Sequence, residues 1–475
     1  MYDAPLRRTA ILPFFNIYTV AGLCVVFYLG LTIMFRLFDG ANTGVEYLYL
    51  LMLLQSVPVV VAFTRRHFNY LSFIMIFHFF QLSLPKWFQY KENPSLFEID
   101  PAILQAVLEQ TSCTMIMILV YYAARGFVFG TNPERERFQL LTLTRVQVVL
   151  LACYVILVPS YIDHLPAWFL SIHFLLLSAD IVLLFTSTSP GNEKLIFVTK
   201  AAAIVGSFHF FLQSGMMTLM GALVSLWALV ACLKKKYGLV LIIFCMVLCM
   251  CAVQTVKGNY RAFLIENYQA TSLERLGVLW ELIYAKYIDD DAPEIEGEEE
   301  KPEESIGMNL ISGFMRAGDD SLQRVLAATP SKVPFWSGET YMSIPYMFIP
   351  RMLWPDKPSR HFWNKYGRVY GVLSEDDFDT SVGVSYLAEA YMNFGFAGMY
   401  FLAFVMGILF VAVERTSFYI MSGDYYYFPY IVFLTPLLPP GTDLGSMLNS
   451  LWVVLMVMLV GRPILLQVAR RDDYS

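Results

Sequence analysis

Apolar runs long enough to cross a lipid bilayer recur along most of this 475-residue chain. The hydrocarbon core of a bilayer needs about 20 consecutive apolar residues in a helix. Backbone groups in lipid must find their partners within the segment, so such runs predict helices. Hydrophobic residues make up 57% of the chain and charged residues 15%, whereas soluble domains carry roughly 45–50% and about 25%. The sequence therefore predicts an all-α polytopic integral membrane protein.

Twelve of these runs are predicted to span the membrane. They cover residues 10–35, 45–63, 68–84, 102–124, 144–160, 165–185, 194–213, 216–233, 237–254, 387–412, 425–440 and 446–468. The first run is too long for the core of a signal peptide, so it is predicted to be a transmembrane helix. Basic residues concentrate in alternate loops, and the positive-inside rule then places both termini in the cytoplasm. The slightly acidic net charge gives no footprint for nucleic acid.

One connection is far longer than the others. The chain divides into spans one to nine (1–255), a loop predicted to lie outside (256–386), and spans ten to twelve (387–475). Loops of this length are uncommon unless they are functional. Thr271–Ile288 places Leu273, Leu276, Trp280, Ile283, Tyr284 and Tyr287 on one face, which predicts an amphipathic helix along the membrane surface. A second amphipathic helix is predicted for Ile306–Ala328. The acidic insertion 289–305 is typical of a solvated, disordered segment.

The last part of this loop, Ser343–Gly371, gathers cationic side chains among prolines and tryptophans. These cations are Arg351, Lys357, Arg360, His361, Lys365 and Arg368. Arginine suits bidentate recognition of phosphate, and the prolines keep the segment from forming one long helix. The pattern predicts a site for a phosphorylated lipid headgroup. The alternative is a basic loop that binds anionic lipids nonspecifically.

Two stretches on either side of this segment add candidate residues. Lys257 and Arg261 stand at the other edge of the long loop. Ser385, Glu389 and Asn393 are spaced four apart at the start of span ten and so share one helical face. A carboxylate inside a transmembrane helix is a functional candidate, and its alternative role is a structural salt bridge to a loop arginine. Asp443 is predicted to border the same site.

The remaining reactive side chains favour no metal site. All seven cysteines lie in apolar runs without a second CxxC or a matching histidine pair, so they are interpreted as small hydrophobic residues. His78, His173 and His209 are interpreted as hydrogen-bonded core residues. No metal and no cofactor is predicted.

Several of these motifs resemble a known family. "IPRMLWPDKP" (Ile349–Pro358) followed by "SYLAEAYMNFGFAG" (Ser385–Gly398) is similar to the Wzy-type polymerases of lipid-linked oligosaccharide repeat units. "KGNYRAF" resembles a glycine–arginine signature of that family, and Arg360 with Gly371 has a spacing seen in some members. The strongest match covers about 349–398, and the acidic insertion departs from the family's pattern.

The resemblance implies a fold and a reaction. The fold would be similar to that of GT-C glycosyltransferases, in the bacterial inner membrane with the long loop outside. The activity would be a metal-independent transfer of a growing glycan from polyprenyl pyrophosphate to a new lipid-linked repeat unit. Donor and acceptor would thus both be lipid-linked oligosaccharides, and a chain-length regulator and a flippase are candidate partners.

Roles for the candidate residues follow from this reaction. Arg351 and Arg360 would stabilise the pyrophosphate leaving group, and Glu389 or His361 would act as the general base. The substrate-binding residues would be Arg261, Lys357, Arg368, Lys257 and Asn393. Alternatives are an O-antigen ligase with the same donor, a flippase for the lipid-linked unit, and a non-catalytic assembly partner.

Overall fold

The computed structural model describes residues 43–65, 69–93, 100–129, 272–287, 320–349, 362–378, 380–420, 435–437 and 440–472, with isolated positions at 256, 259, 260, 263, 267, 354, 356 and 433. Ten α-helices lie in this part: α1 Thr43–Arg65, α2 Tyr70–His78, α3 Leu84–Glu92, α4 Pro101–Phe129, α5 Ser272–Tyr287, α6 Ser321–Ala328, α7 Ile344–Met347, α8 Phe362–Val369, α9 Tyr386–Ile420 and α10 Leu444–Asp472. A π-helical turn, Phe79–Ser83, joins α2 to α3. Within the described residues every regular element is helical, in agreement with the predicted all-α protein.

Among the described residues, three helical stretches are long and apolar enough to cross a membrane: Tyr70–Lys91, Pro101–Val128 and Tyr386–Ser417. Shorter apolar helices cover Glu46–Val60 and Leu444–Met456. The predicted spans 45–63, 68–84, 102–124 and 446–468 coincide with helical segments, whereas the predicted span 387–412 falls on a helix that is broken at Gly395. The predicted spans 10–35 and those from 144 to 254 lie outside the described residues, as do the acidic insertion and most of 425–440.

The helix that follows Asn69 is buried on nearly every side. Its start is set by Asn69, whose Oδ1 accepts a hydrogen bond of 2.9 Å from the Ser72 amide. Seven of the eight residues from Tyr70 to Phe77 are buried, because this short segment packs against α1 and α9. A helix that is apolar all round belongs in an interior, and α2 occupies that place here.

Helices α4 and α9 run in the same direction and form the central contact of the bundle. Near the start of both helices Tyr400 donates a hydrogen bond of 2.5 Å to Glu109. Further along both helices Arg125 lies 3.4 Å from the Glu414 carboxylate. Tyr121 also hydrogen bonds to Glu414. The increasing residue numbers on both helices establish that they are parallel, with polar pairs towards both ends of an apolar contact.

Gly407 permits this close crossing. A Cβ atom at Gly407 would lie 2.8 Å from the Val120 Cβ and 3.0 Å from the Met117 carbonyl oxygen. Helices in membranes associate largely through close van der Waals packing at such small residues. The position therefore requires glycine.

The first prediction concerns this crossing. Gly407→Leu is expected to lower the free energy of unfolding by about 1–3 kcal/mol or more, because two helix backbones must move apart to admit the side chain. Ala412→Leu places the same side chain on an exposed position of α9 and is expected to be nearly neutral. The measurement is the thermal unfolding midpoint of each variant in detergent, and equal midpoints would contradict the crossing.

Helix α9 is broken near its start by Gly395, whose backbone is non-helical (φ 66°, ψ −156°). The break makes a short limb, 386–394, and a long limb, 396–420. Tyr386 donates to the Met117 Sδ at 3.7 Å, while Gly407 packs on the Met117 carbonyl. On one straight helix residues 386 and 407 would stand about 31 Å apart. The short limb therefore folds back beside the long limb, forming a helical hairpin.

The amphipathic helix predicted for Thr271–Ile288 is confirmed as α5, with a correction to its faces. Leu276, Leu279 and Ile283 pack against the core, whereas Trp280 and Tyr284 are exposed. The predicted apolar face includes Trp280, which is exposed, and omits Leu279, which is buried. Of the second predicted amphipathic helix, the part Ser321–Ala328 is observed as α6; residues 306–319 lie outside the described residues.

Candidate functional site

The cationic segment Ser343–Gly371 is broken into short elements, as its prolines predicted. It contains the end of a 3-10 turn (Tyr341–Ser343), α7 and α8. Of the candidate residues, Glu389, Asn393 and Arg368 are described. Arg351, Lys357, Arg360, His361, Lys257 and Arg261 lie outside the described residues.

Glu389 lies on the short limb of the hairpin and is completely buried. Its Oε2 accepts a hydrogen bond of 2.9 Å from the backbone amide of Leu444, the first residue of α10. The N-terminus of a helix carries partial positive charge and unpaired N–H groups, so it favours an ionised carboxylate. This hydrogen bond to Glu389 comes from a helix terminus. The alternative role predicted for Glu389, a structural salt bridge to an arginine of the long loop, stays a prediction.

Asp443 is a second buried carboxylate at the same helix terminus. Its Oδ1 accepts from the Ser446 amide at 2.9 Å, the usual geometry of an N-cap. Since Leu444 follows Asp443 directly, both carboxylates approach the first turn of α10. The interpretation that Asp443 borders the site is in agreement with this geometry.

Trp363 links the cationic segment to these carboxylates. It lies on α8, and its indole Nε1 donates a hydrogen bond of 3.0 Å to the second oxygen of Asp443. This hydrogen bond joins α8, which belongs to the cationic segment, to the first turn of α10.

Tyr341 lies beside the same two carboxylates. Its ring stacks on Phe394 at 5.8 Å between centroids. Burial raises the pKa of the Tyr341 hydroxyl, and the negative charges of Glu389 and Asp443 raise this pKa further. The phenol therefore stays protonated at neutral pH and can act only as a neutral hydrogen-bonding group.

Asn393 fastens the loop 336–341 to the short limb. Its Oδ1 accepts from the Gly338 amide at 2.9 Å, and its Nδ2 donates to the Thr340 hydroxyl and to the Glu389 carbonyl. The Trp336 amide also donates to the Met392 carbonyl at 3.0 Å. Both amide hydrogens of Asn393 are thus used within the protein, so the structure gives this residue a positioning role; substrate binding by it stays a prediction.

Arg368 organises the outer end of α8. Its Nε donates to the Asn364 Oδ1 at 2.9 Å, and its guanidinium lies 4.2 Å from the centre of the Phe378 ring. Asn364 in turn donates to the carbonyls of Asp377 and Thr380. Lys365, on the same helix, pairs with Glu339 at 2.6 Å. These contacts hold the loop after α8 in place.

Ser385, Glu389 and Asn393, which were predicted to share one helical face, are all buried. Ser385 hydrogen bonds to the Ser321 hydroxyl at 2.8 Å and so joins the short limb to α6. Sequence reasoning missed Trp363 and Tyr341. Asp443 carried a readable signal, because an aspartate directly before an apolar run is typical of a helix start, whereas nothing in the sequence distinguishes Trp363 from the neighbouring aromatic residues.

The second prediction tests the Asp443 junction. Asp443→Ala is expected to lower the free energy of unfolding by about 1–3 kcal/mol, because it removes an N-cap and leaves the partly buried Trp363 donor without this acceptor. Asp376→Ala, at an exposed position of the loop after α8, is the matched control. The measurement is the unfolding midpoint in detergent. An unchanged midpoint for Asp443→Ala would contradict the hydrogen bonds of Asp443 to Trp363 and Ser446.

Comparison with known proteins identifies no relative of this chain. No protein family, curated protein or solved structure matches the chain.

Proposed function

We propose that this protein polymerises lipid-linked oligosaccharide repeat units into a surface polysaccharide. In this proposal it is a twelve-span, GT-C-like glycosyltransferase of the bacterial inner membrane, with cytoplasmic termini and the loop 256–386 outside. The polymer would be O-antigen, capsule or exopolysaccharide. The parallel arrangement of α4 and α9 supports the topology. These helices correspond to the predicted spans four and ten. Successive spans alternate in direction, so two even-numbered spans cross the membrane in the same direction.

The observation that carries the proposal is the junction of Trp363, Asp443, Leu444 and Glu389. Through two hydrogen bonds it connects a buried carboxylate to the segment that contains the phosphate-binding candidates. A glycosyl transfer from pyrophosphate needs both groups: cations at the leaving group and a base at the acceptor hydroxyl. A nonspecific lipid-binding loop needs no buried carboxylate at its base.

The reaction proceeds by exchange of one C–O bond for another. The acceptor hydroxyl oxygen attacks the anomeric carbon of the donor glycan, and its proton passes to Glu389 or to His361. The bond from the anomeric carbon to the pyrophosphate oxygen breaks, and polyprenyl pyrophosphate leaves with the electron pair. Arg351 and Arg360 act on charge that develops in the transition state, so they accelerate the step instead of tightening ground-state binding. Lys257, Arg261, Lys357 and Arg368 would contact the lipid-linked substrates.

The third prediction tests the leaving-group arginines. In cells lacking this protein, the Arg360→Ala variant is expected to leave mostly single repeat units on a polysaccharide gel, since losing one such contact typically costs about 10²–10³ in rate. Arg324→Ala, at an exposed position of α6, is expected to restore the full ladder. A full ladder with Arg360→Ala, at wild-type protein level, would contradict the assignment.

A flippase for the same lipid-linked unit is a second candidate, favoured by the helix break at Gly395. Broken helices within the membrane are typical of transporters. Cells lacking a flippase accumulate lipid-linked units on the cytoplasmic side and export no single repeat unit, whereas cells lacking a polymerase export single units. A ligase is distinguished by polymer that accumulates on its lipid carrier. The gel profile of the deletion strain therefore separates all three.

A further inference from the structure

His78 is a buried polar side chain to which the proposed reaction assigns no role. It is the last residue of α2 and is 1% exposed. The sequence analysis predicted a hydrogen-bonded core histidine. The burial is confirmed, but among the residues that the structure describes neither ring nitrogen has a hydrogen-bond partner. Its ring centre lies 6.4 Å from that of Tyr386, at the start of the short limb.

Gln55 on α1 is a second buried side chain with an open position. Its Oε1 accepts a hydrogen bond of 2.5 Å from the Ser83 hydroxyl, while its Nε2 has no partner within the described part of the chain. Both Gln55 and Ser83 are fully buried. Buried polar groups in native proteins are nearly always hydrogen bonded, and an exception calls for a ligand or an ordered water.

The π-helical turn Phe79–Ser83 links the two side chains through the backbone. In a π turn the hydrogen bonds join residues five apart, and Ser83 is five residues after His78. The histidine and the serine are therefore neighbours on successive turns, and the serine hydroxyl donates to Gln55. Such single π turns are frequent at functional sites.

The open positions define what the site can bind. A neutral imidazole offers one donor and one acceptor, and the Gln55 nitrogen offers two donors. None of these groups carries a formal charge, which disfavours an anion as the ligand, and one imidazole with one amide is too small a ligand set for a structural metal ion. The ligand must be small and must both accept and donate hydrogen bonds.

We propose that His78 and Gln55 form an internal water-binding site at the π turn between α2 and α3. Bound water satisfies the imidazole and the amide together, as buried waters generally satisfy several protein groups each. Through Tyr386 the site adjoins the inner end of the short limb that carries Glu389. Water bound there hydrates the hairpin from within the bundle. The proposed water site does not depend on the proposed polymerase activity.

The test is water-edited solid-state NMR of the full-length protein in lipid bilayers, with ¹⁵N-labelled histidine. The His78 ring signal is assigned by its loss in His78→Asn, or by elimination with variants of the other five histidines if that variant does not fold. We expect the His78 ring nitrogens to receive magnetisation from water protons, with shifts of hydrogen-bonded nitrogens. A His78 signal that is present in the full spectrum and absent from the water-edited spectrum would overturn the site.

A second variant tests whether Gln55 shares the same water. Gln55→Leu is expected to weaken the water-edited signal of His78, because the bound water loses one of its partners. Gln89→Leu on α3 is the matched control and is expected to leave this signal unchanged. An equal His78 signal in wild type and Gln55→Leu would refute the shared site.

Discussion

Replacing Glu389 by glutamine is expected to reduce the rate of polymer formation by about 10²–10⁴, the usual contribution of a general acid or base. The substitution keeps the size of the side chain, and the amide oxygen can still accept from the Leu444 amide. The fold should therefore survive while the charge and the proton acceptor are lost. The measurements are the surface polysaccharide ladder and the rate at which purified protein joins lipid-linked repeat units.

The control for this variant is Glu339→Gln. Glu339 is an exposed carboxylate in the neighbouring loop, paired with Lys365, and its removal is expected to change the rate little. The thermal unfolding midpoint of Glu389→Gln separates a lost base from a lost fold. A correctly folded Glu389→Gln enzyme with wild-type rate would remove Glu389 from the mechanism and leave His361 as the candidate base.

Gly395→Ala is expected to destabilise the protein by about 1–3 kcal/mol. The backbone at this position (φ 66°, ψ −156°) lies in a region that is almost restricted to glycine, and a Cβ atom there carries a strain of this order. The new atom would also meet the Phe335 ring at 3.3 Å. Because the hairpin positions Glu389, we expect activity to fall as well.

Gly277→Ala is the matched control for the hairpin. Gly277 lies inside α5, and a Cβ atom there meets nothing within 4 Å. Alanine in a helix interior is more stable than glycine by roughly 0.5–1 kcal/mol, so this variant should unfold at the same or a higher temperature. If Gly395→Ala were also as stable as the wild type, α9 would not be broken at Gly395.

The hairpin is the largest departure from the sequence-based picture. "SYLAEAYMNFGFAG" was interpreted as the start of one continuous span, because an isolated glycine within an apolar helix is tolerated and signals no turn by itself. The fold-back depends on contacts far along the chain, such as those of Met392 with Trp336 and of Asn393 with Gly338. Neither contact leaves a periodic pattern in the sequence.

The faces of α5 illustrate a second limit. Its apolar side chains were predicted to share one face, yet Leu279 packs inward and Trp280 points outward. In a soluble protein the outward face is polar, so periodicity identifies the core. At a membrane both the protein interior and the lipid boundary accept aromatic and aliphatic side chains, so hydropathy alone cannot distinguish them.

The sequence by itself determined that α1, α4, the long limb of α9 and α10 are apolar helices, because a chain in lipid must pair its backbone groups within each segment. It also placed Ser385, Glu389 and Asn393 on one helical face, since helical spacing is local, whereas the burial of that face is seen only in the structure. Only the tertiary structure decided that α9 folds back at Gly395 and that Glu389 meets the first amide of α10. It likewise decided that Trp363 reaches Asp443. These outcomes depend on residues 55 and 80 positions apart, which meet through packing that no local pattern encodes.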